Sequence, residues 1–232
     1  FQPTVDLLRN VEPIDGLIVA SPSNPTGTMI SSGELETLVS WCKNNNVRLI
    51  SDEIYHGINF ENAPTTAALF DDQGIVVNSF SKYFAMTGWR IGWMIAPTDL
   101  IPTVERLAQN LFVSPAALPQ RAALTALDCR NELDRYVKTY ARNRQFLLER
   151  LPSAGFRKIA PADGAFYLYA DVSDLTNDSK QFCKQMLEEV GVASTPGIDF
   201  DQLRGHQYLR FSFAGSEQTI TEAAERLVNW RR

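Results

Sequence analysis

Histidine and cysteine are scarce in this sequence, with two of the first and three of the second in 232 residues. His56 and His206 lie far apart, so a histidine-based metal site or catalytic triad is not expected. The cysteines, Cys42, Cys129 and Cys183, are widely spaced, odd in number and form no Cys-x-x-Cys pair. This excludes a zinc-like spacing and points to reduced core thiols in a cytoplasmic protein. No stretch approaches the roughly 20 uninterrupted apolar residues that cross a bilayer. Positive charge is in deficit, 22 Lys and Arg against 27 Asp and Glu, which argues against affinity for nucleic acid or anionic membranes. The opening Phe1-Gln2-Pro3-Thr4 has no initiator methionine and none of the basic and apolar regions of a secretory signal. It reads as the interior of something longer.

What is present is the profile of a globular protein, 44% hydrophobic and 21% charged, with apolar mass for one large core or two unequal ones. Gly16-Leu17-Ile18-Val19-Ala20 is a buried-strand run that ends in the Pro- and Gly-containing loop Ser21 to Gly27. Ser31 or Ser32 can cap a helix whose apolar face is Leu35, Leu38, Val39 and Cys42. Further strands are expected over 47–51, 74–80 and 89–96. Strands alternating with helices predict an α/β fold, a mostly parallel sheet with helices on both faces. Asn24, Asp52 and the segment Ser79 to Lys82 fall at the carboxyl ends of three such strands, where ligands bind in sheets of this kind. From 101 to 151 the pattern is helical, until Pro152 and Gly155 break it. Strands over 166–170 and 207–213, with helices over 179–190 and 217–230, then predict a small α+β domain. Arg231-Arg232 reads as a solvated helix end.

A lysine after a strand is by default a surface residue, but the surroundings of Lys82 alter that. The hydroxyls of Ser79 and Ser81 and the guanidinium of Arg90 are donors suited to a phosphate. A lysine beside such cationic groups can have its pKa lowered and act as a nucleophile toward an aldehyde. Gly88 lets the backbone pass close to a ligand. Asp52 can serve as a strand-ending acid or as the partner of a pyridinium nitrogen. Tyr55 and Asn24 could each hydrogen-bond a phenolic oxygen on such a ring. Trp89, Trp93 and Phe84 read as packing groups.

Together, Ser-x-x-Asn-Pro-Thr-Gly, Asp-Glu-x-Tyr, Ser-x-Ser-Lys-x-x-x-x-x-Gly-x-Arg and the arginine of Tyr208-Leu209-Arg210-Phe211-Ser212 occur here in that order. In this the chain resembles the class I aminotransferases of the aspartate aminotransferase fold type, from its first strand to its last helix. The resemblance implies pyridoxal 5′-phosphate (PLP) as cofactor and a reaction moving an amino group between an L-amino acid and a 2-oxo acid. By motif, Lys82 would bind PLP covalently and act as general base and acid. Asp52 would hold the pyridine nitrogen, and Asn24 and Tyr55 would contact the ring oxygen. Ser79, Ser81 and Arg90 would hold the phosphate, and Arg210, with Asn24, the substrate carboxylate. Gly197 resembles the family's loop facing the active site, and is equally a plain turn.

The same resemblance divides the chain into a partial PLP-binding large domain over 1–130, a connecting helix over 131–152 and a small domain over 153–232. The family's large domain begins well upstream of Phe1, and that part supplies a Gly-rich phosphate turn, a ring that stacks on the pyridine and a dimer arm. The chain as written is therefore expected to bind PLP weakly or not at all, while the full-length protein is expected to be a homodimer. No cation stands in Asn110 to Leu118, where dicarboxylate-specific relatives place one, so a neutral or aromatic amino donor is favoured. Reaction type on this fold is not legible in the residues, which leaves a PLP-dependent C–S β-lyase open. An aminotransferase-like effector domain of a transcription regulator is the alternative from another class.

Overall fold

In the computed structural model, which describes residues 1–11 and 13–230, the chain divides within its longest helix. One unit comprises Phe1–Ser23 and Met29–Asp134, the other Asn24–Thr28 and Arg135–Arg232. The solvated end expected at Arg231-Arg232 lies outside the described residues.

The first unit is α/β. After the short helix α1 (Val5–Leu8), it contains β1 (Gly16–Ala20), α2 (Ser32–Asn44), β2 (Arg48–Asp52), β3 (Ile75–Ser79) and β4 (Gly92–Ile95). Helices α3 (Ile101–Leu111), α4 (Ala117–Ala126) and the start of α5 (Arg130–Arg150) follow. The sheet order is β1-β2-β3-β4, with the first two pairings parallel and the last antiparallel. The 3.6-residue spacing of Leu35, Leu38, Val39 and Cys42 does bury one face of α2, against Val19, Leu49 and Val76 of the sheet. The helix starts where it does because of a capping box. The Ser31 hydroxyl accepts from the Glu34 N–H at 3.4 Å, and the Glu34 carboxylate accepts from the Ser31 N–H at 3.1 Å.

The fourth strand is shorter than the apolar run over 89–96 suggests. Thr87–Trp89 is a single 3-10 turn and Arg90 is left-handed, φ 52°, so extended pairing begins only at Gly92.

The second unit holds β5 (Lys158–Ile159), β6 (Tyr167–Asp171), α6 (Ser179–Val190), β7 (Thr195–Pro196), β8 (Tyr208–Ser212) and α7 (Glu217–Asn229). The strands form an antiparallel sheet in the order β5-β6-β8-β7. The two-residue strands β5 and β7 carry no periodicity and were not legible beforehand; Pro196 can stand in β7 because that strand is an edge. Phe156, Phe213, Leu168, Leu209 and Met186 are fully buried, and the ring of Phe156 meets Phe211 edge-on at 5.2 Å. Buried Asn143 of α5 donates to the carbonyls of Phe213 and Gly215 at 3.0 and 2.9 Å, tying the helix to the end of β8. Among the described residues no helix is long and apolar enough to cross a membrane.

The capping box yields a prediction. Ser31→Ala should destabilise the first unit by about 1 kcal/mol, read as a lower urea midpoint at unchanged slope. The Ser31 hydrogen bonds hold the Glu34 carboxyl below its ordinary 4.5, so this contribution is present at neutral pH and is lost as the carboxylate protonates in acid. The difference between Ser31→Ala and wild type should therefore shrink by pH 3.

Candidate active site

Parallel pairing of β2 with β3, Asp52 opposite Val77, brings the carboxyl ends of both strands to one edge of the sheet. Asp52 is the last residue of β2, and its Oδ1 accepts from the Ile54 N–H at 3.1 Å, which fixes the carboxylate at the start of the turn. The turn is anchored by the next residue. Buried Glu53 accepts from the Ser51 hydroxyl at 3.0 Å and the Ala67 N–H at 2.8 Å, and its second oxygen lies 3.4 Å from His56 Nδ1. Burial pulls the His56 pKa below its ordinary value, with the Glu53 charge opposing. His56 thus has an anchoring part here. Tyr55, 3% exposed, packs beneath the Lys82 amine, whose Nζ is 5.5 Å from the ring centre.

The Lys82 segment leaves the end of β3 at Ser79. The Ser79 hydroxyl accepts from the Ser81 N–H at 3.0 Å. Arg90 Nη1 donates to the Thr87 carbonyl at 2.8 Å and reaches the Ser81 hydroxyl at 3.5 Å, while the Thr87 hydroxyl donates to the Ser81 carbonyl at 2.9 Å. Ser79, Ser81 and Arg90 are therefore linked in one network. The segment rests on Phe80, Phe84 and Trp93, whose rings are 4.6 and 5.0 Å from that of Phe80. Phe84 and Trp93 are thus packing groups as expected, whereas Trp89, also expected to pack, is exposed.

Two contacts of Tyr83 hold the Lys82 segment, one to α5 and one to the turn that follows Asp52. The Tyr83 hydroxyl donates to Asp134 at 2.6 Å. Gly57 has φ +95°, and a Cβ there would lie 2.6 Å from the Tyr83 ring, so no other residue fits that approach. Burial, and then the Asp134 bond, push the Tyr83 phenol up to about 12. Gly88, by contrast, meets nothing within 4 Å.

In the second unit, Arg210 of β8 donates through Nη1 to the Asn24 side-chain oxygen at 2.6 Å and through Nη2 to the Thr195 hydroxyl at 3.1 Å. A guanidinium only donates, so the Asn24 oxygen is committed and its NH₂ remains as a donor. The Arg210 charge lies 4.3 Å from the Tyr167 ring centre and 4.9 Å from that of Phe200. Gly197 and Gly205 meet backbone to backbone, and a Cβ on Gly205 would come within 2.3 Å of Gly197, so Gly197 has a packing reason of its own.

The sequence reading missed Thr87, the Tyr83–Asp134 pair, and the three residues around Arg210. Only the position of Thr195 before Pro-Gly hinted at any of them. Chemically, the first unit offers a network of hydroxyls with a guanidinium, an amine over a phenol ring and a fixed carboxylate. These are donors for a phosphate, a nucleophile for an aldehyde and an acceptor for a protonated ring nitrogen, the groups that PLP requires.

Comparison with known proteins agrees. Residues 2–227 match the model of the family "Aminotransferase class I and II", whose members depend on PLP. The chain is 48% identical to a valine–pyruvate aminotransferase of Mycobacterium tuberculosis, over 99% of its own length and 61% of that protein. It is 36% identical to a (5-formylfuran-3-yl)methyl phosphate transaminase of Methanocaldococcus jannaschii, over 91% of this chain and 56% of that one. A crystal structure of an aminotransferase from Mycobacterium tuberculosis superposes with a TM-score of 0.95 at 48% identity, covering 99% of this chain and 60% of the other. The chain thus spans about three-fifths of the length of these proteins.

The Tyr83 contact can be checked directly. Tyr83→Phe should lower stability by about 1–2 kcal/mol at neutral pH, measured by urea unfolding. The difference should fade as pH rises from 10 toward 12, because the group's raised pKa makes its contribution one that alkali removes. Ultraviolet titration of the variant should lack one late-ionising phenol.

Proposed function

Because this chain belongs to the family of class I and II aminotransferases, we propose that the protein containing it transfers an amino group between an L-amino acid and a 2-oxo acid with PLP as cofactor. The observation that carries the reading is the joined set in the first unit: Ser79, Ser81 and Arg90 in one network, Lys82 over Tyr55, and Asp52 at the adjacent strand end. When bound, the cofactor supplies an electron sink for the pair released as the Cα–H bond breaks.

Lys82 would hold the cofactor covalently, and once the substrate amine has displaced it, its free amine would take the Cα proton and return it as general base and acid. Asp52 keeps the ring nitrogen protonated through its carboxylate. Tyr55 and the NH₂ of Asn24 donate to the ring oxygen, and Ser79, Ser81 and Arg90 bind the phosphate. Arg210 takes the substrate α-carboxylate as a two-pronged donor, with Asn24 beside it. Residues 1–130 are assigned to the cofactor domain, 131–152 to the connecting helix and 153–232 to the smaller domain.

The amino donor is assigned as neutral. The stretch Asn110 to Leu118 carries no cation for a distal carboxylate, and the Mycobacterium tuberculosis relative is named for valine and pyruvate. The working form is assigned as a homodimer in the cytoplasm.

In the full-length protein, Lys82→Ala should lower kcat/KM by about 10⁴-fold, with Lys82→Arg giving no recovery. Wild type should prefer valine to aspartate in kcat/KM. Retained turnover in the lysine variants contradicts the assigned role of Lys82, and a strong aspartate preference contradicts the neutral donor.

A further inference from the structure

Arg210 is read above as the group that takes the substrate carboxylate, and the next step rests on that reading. A guanidinium on a three-carbon stem samples many rotamers, and ordering it on binding costs affinity. Here it is already ordered by the protein. Thr195 stands directly across from Arg210 in the β7–β8 register, and its β-branched side chain is stiff about χ1. Its hydroxyl accepts from Nη2 while Asn24 accepts from Nη1, so two of five N–H groups are fixed and the rotation of the guanidinium plane is set. The Phe200 ring, 4.9 Å from the charge, flanks the guanidinium and limits its swing. Phe200 follows the turn Gly197–Asp199, where its N–H donates to the Gly197 carbonyl at 2.9 Å and the close Gly197–Gly205 approach leaves no slack.

The electrostatics are as informative as the geometry. Both acceptors on Arg210 are neutral, and among the described residues no carboxylate pairs with it. Its Nε is buried and has no hydrogen-bond partner among the described residues. Closed off in this way, that N–H is out of a ligand's reach, so a carboxylate would be met by the Nη hydrogens that Asn24 and Thr195 do not use. The arrangement holds the charge in place and leaves it uncompensated, as a receptor for a carboxylate should.

We infer that Thr195 and Phe200 are positioning residues that hold Arg210 as a preassembled carboxylate fork and so set the enzyme's preference for a substrate with a free carboxylate over its neutral amide. Neither touches the reacting atoms; both act through Arg210.

The test uses the full-length protein loaded with PLP. Calorimetry with 3-methylbutanoate, a carboxylate that cannot react, should give a dissociation constant about tenfold weaker in Thr195→Val. The kcat/KM ratio of valine over valinamide should fall by the same factor, while kcat for valine stays within about threefold of wild type, since what is lost is binding. Thr195→Ser, which keeps the acceptor, should restore both values. An unchanged ratio and unchanged 3-methylbutanoate affinity in a cofactor-loaded variant overturn the inference, as does an equal loss for valine and valinamide. If Thr195→Val does not fold, Phe200→Leu is read by the same criteria with the same outcomes. The two readings fail separately: a full-length protein that binds no PLP removes the aminotransferase assignment, whereas a loaded, active enzyme indifferent to Thr195 and Phe200 removes only this one.

Discussion

The site depends on the parallel alignment of β2 with β3. With Asp52 opposite Val77, the carboxylate that ends one strand and the serine-rich segment that leaves the other emerge at the same edge of the sheet. Reversal of either strand would send Lys82 to the far end of the sheet from Asp52. The alignment is held by burial of Val19, Leu49 and Val76 under α2, so the core of the first unit and the geometry of its candidate site have a common cause.

Around that frame, polar groups act mainly to hold other polar groups. Glu53 is spent on Ser51, Ala67 and His56, and so anchors the turn between Asp52 and Tyr55. Thr87 ties Ser81 to Arg90, whose left-handed backbone turns the chain ahead of β4. The second unit repeats the pattern at Arg210, where Asn24 and Thr195 accept from the guanidinium and leave its charge unneutralised. Precision at a site of this kind comes from supporting contacts as much as from the groups that meet the ligand.

Most elements were legible because their signals are local. The capping serine and apolar stripe of α2, the runs that became β1 and β3, and the helix over Ser179–Val190 all follow from spacing within one segment. The two-residue strands β5 and β7 were not legible, since pairing to a distant strand defines them. Amphipathicity also says less than it promises. Helix α3 has a marked apolar stripe, yet none of its residues is buried in the structure described, and Leu107 and Leu111 are exposed. For the site, the ordered motifs named the residues that carry chemistry. They could not name Thr195, Tyr167 and Phe200, which come near Arg210 only through the fold of the second unit.

The central claim is that the amine at position 82 is the one that receives the cofactor. Incubation of the full-length protein with PLP, reduction with borohydride and peptide mapping would identify the modified lysine. The account predicts a single stoichiometric pyridoxyl group on Lys82. Modification of Lys43, Lys138, Lys158, Lys180 or Lys184 in its place, or a label scattered over several of them, would contradict it.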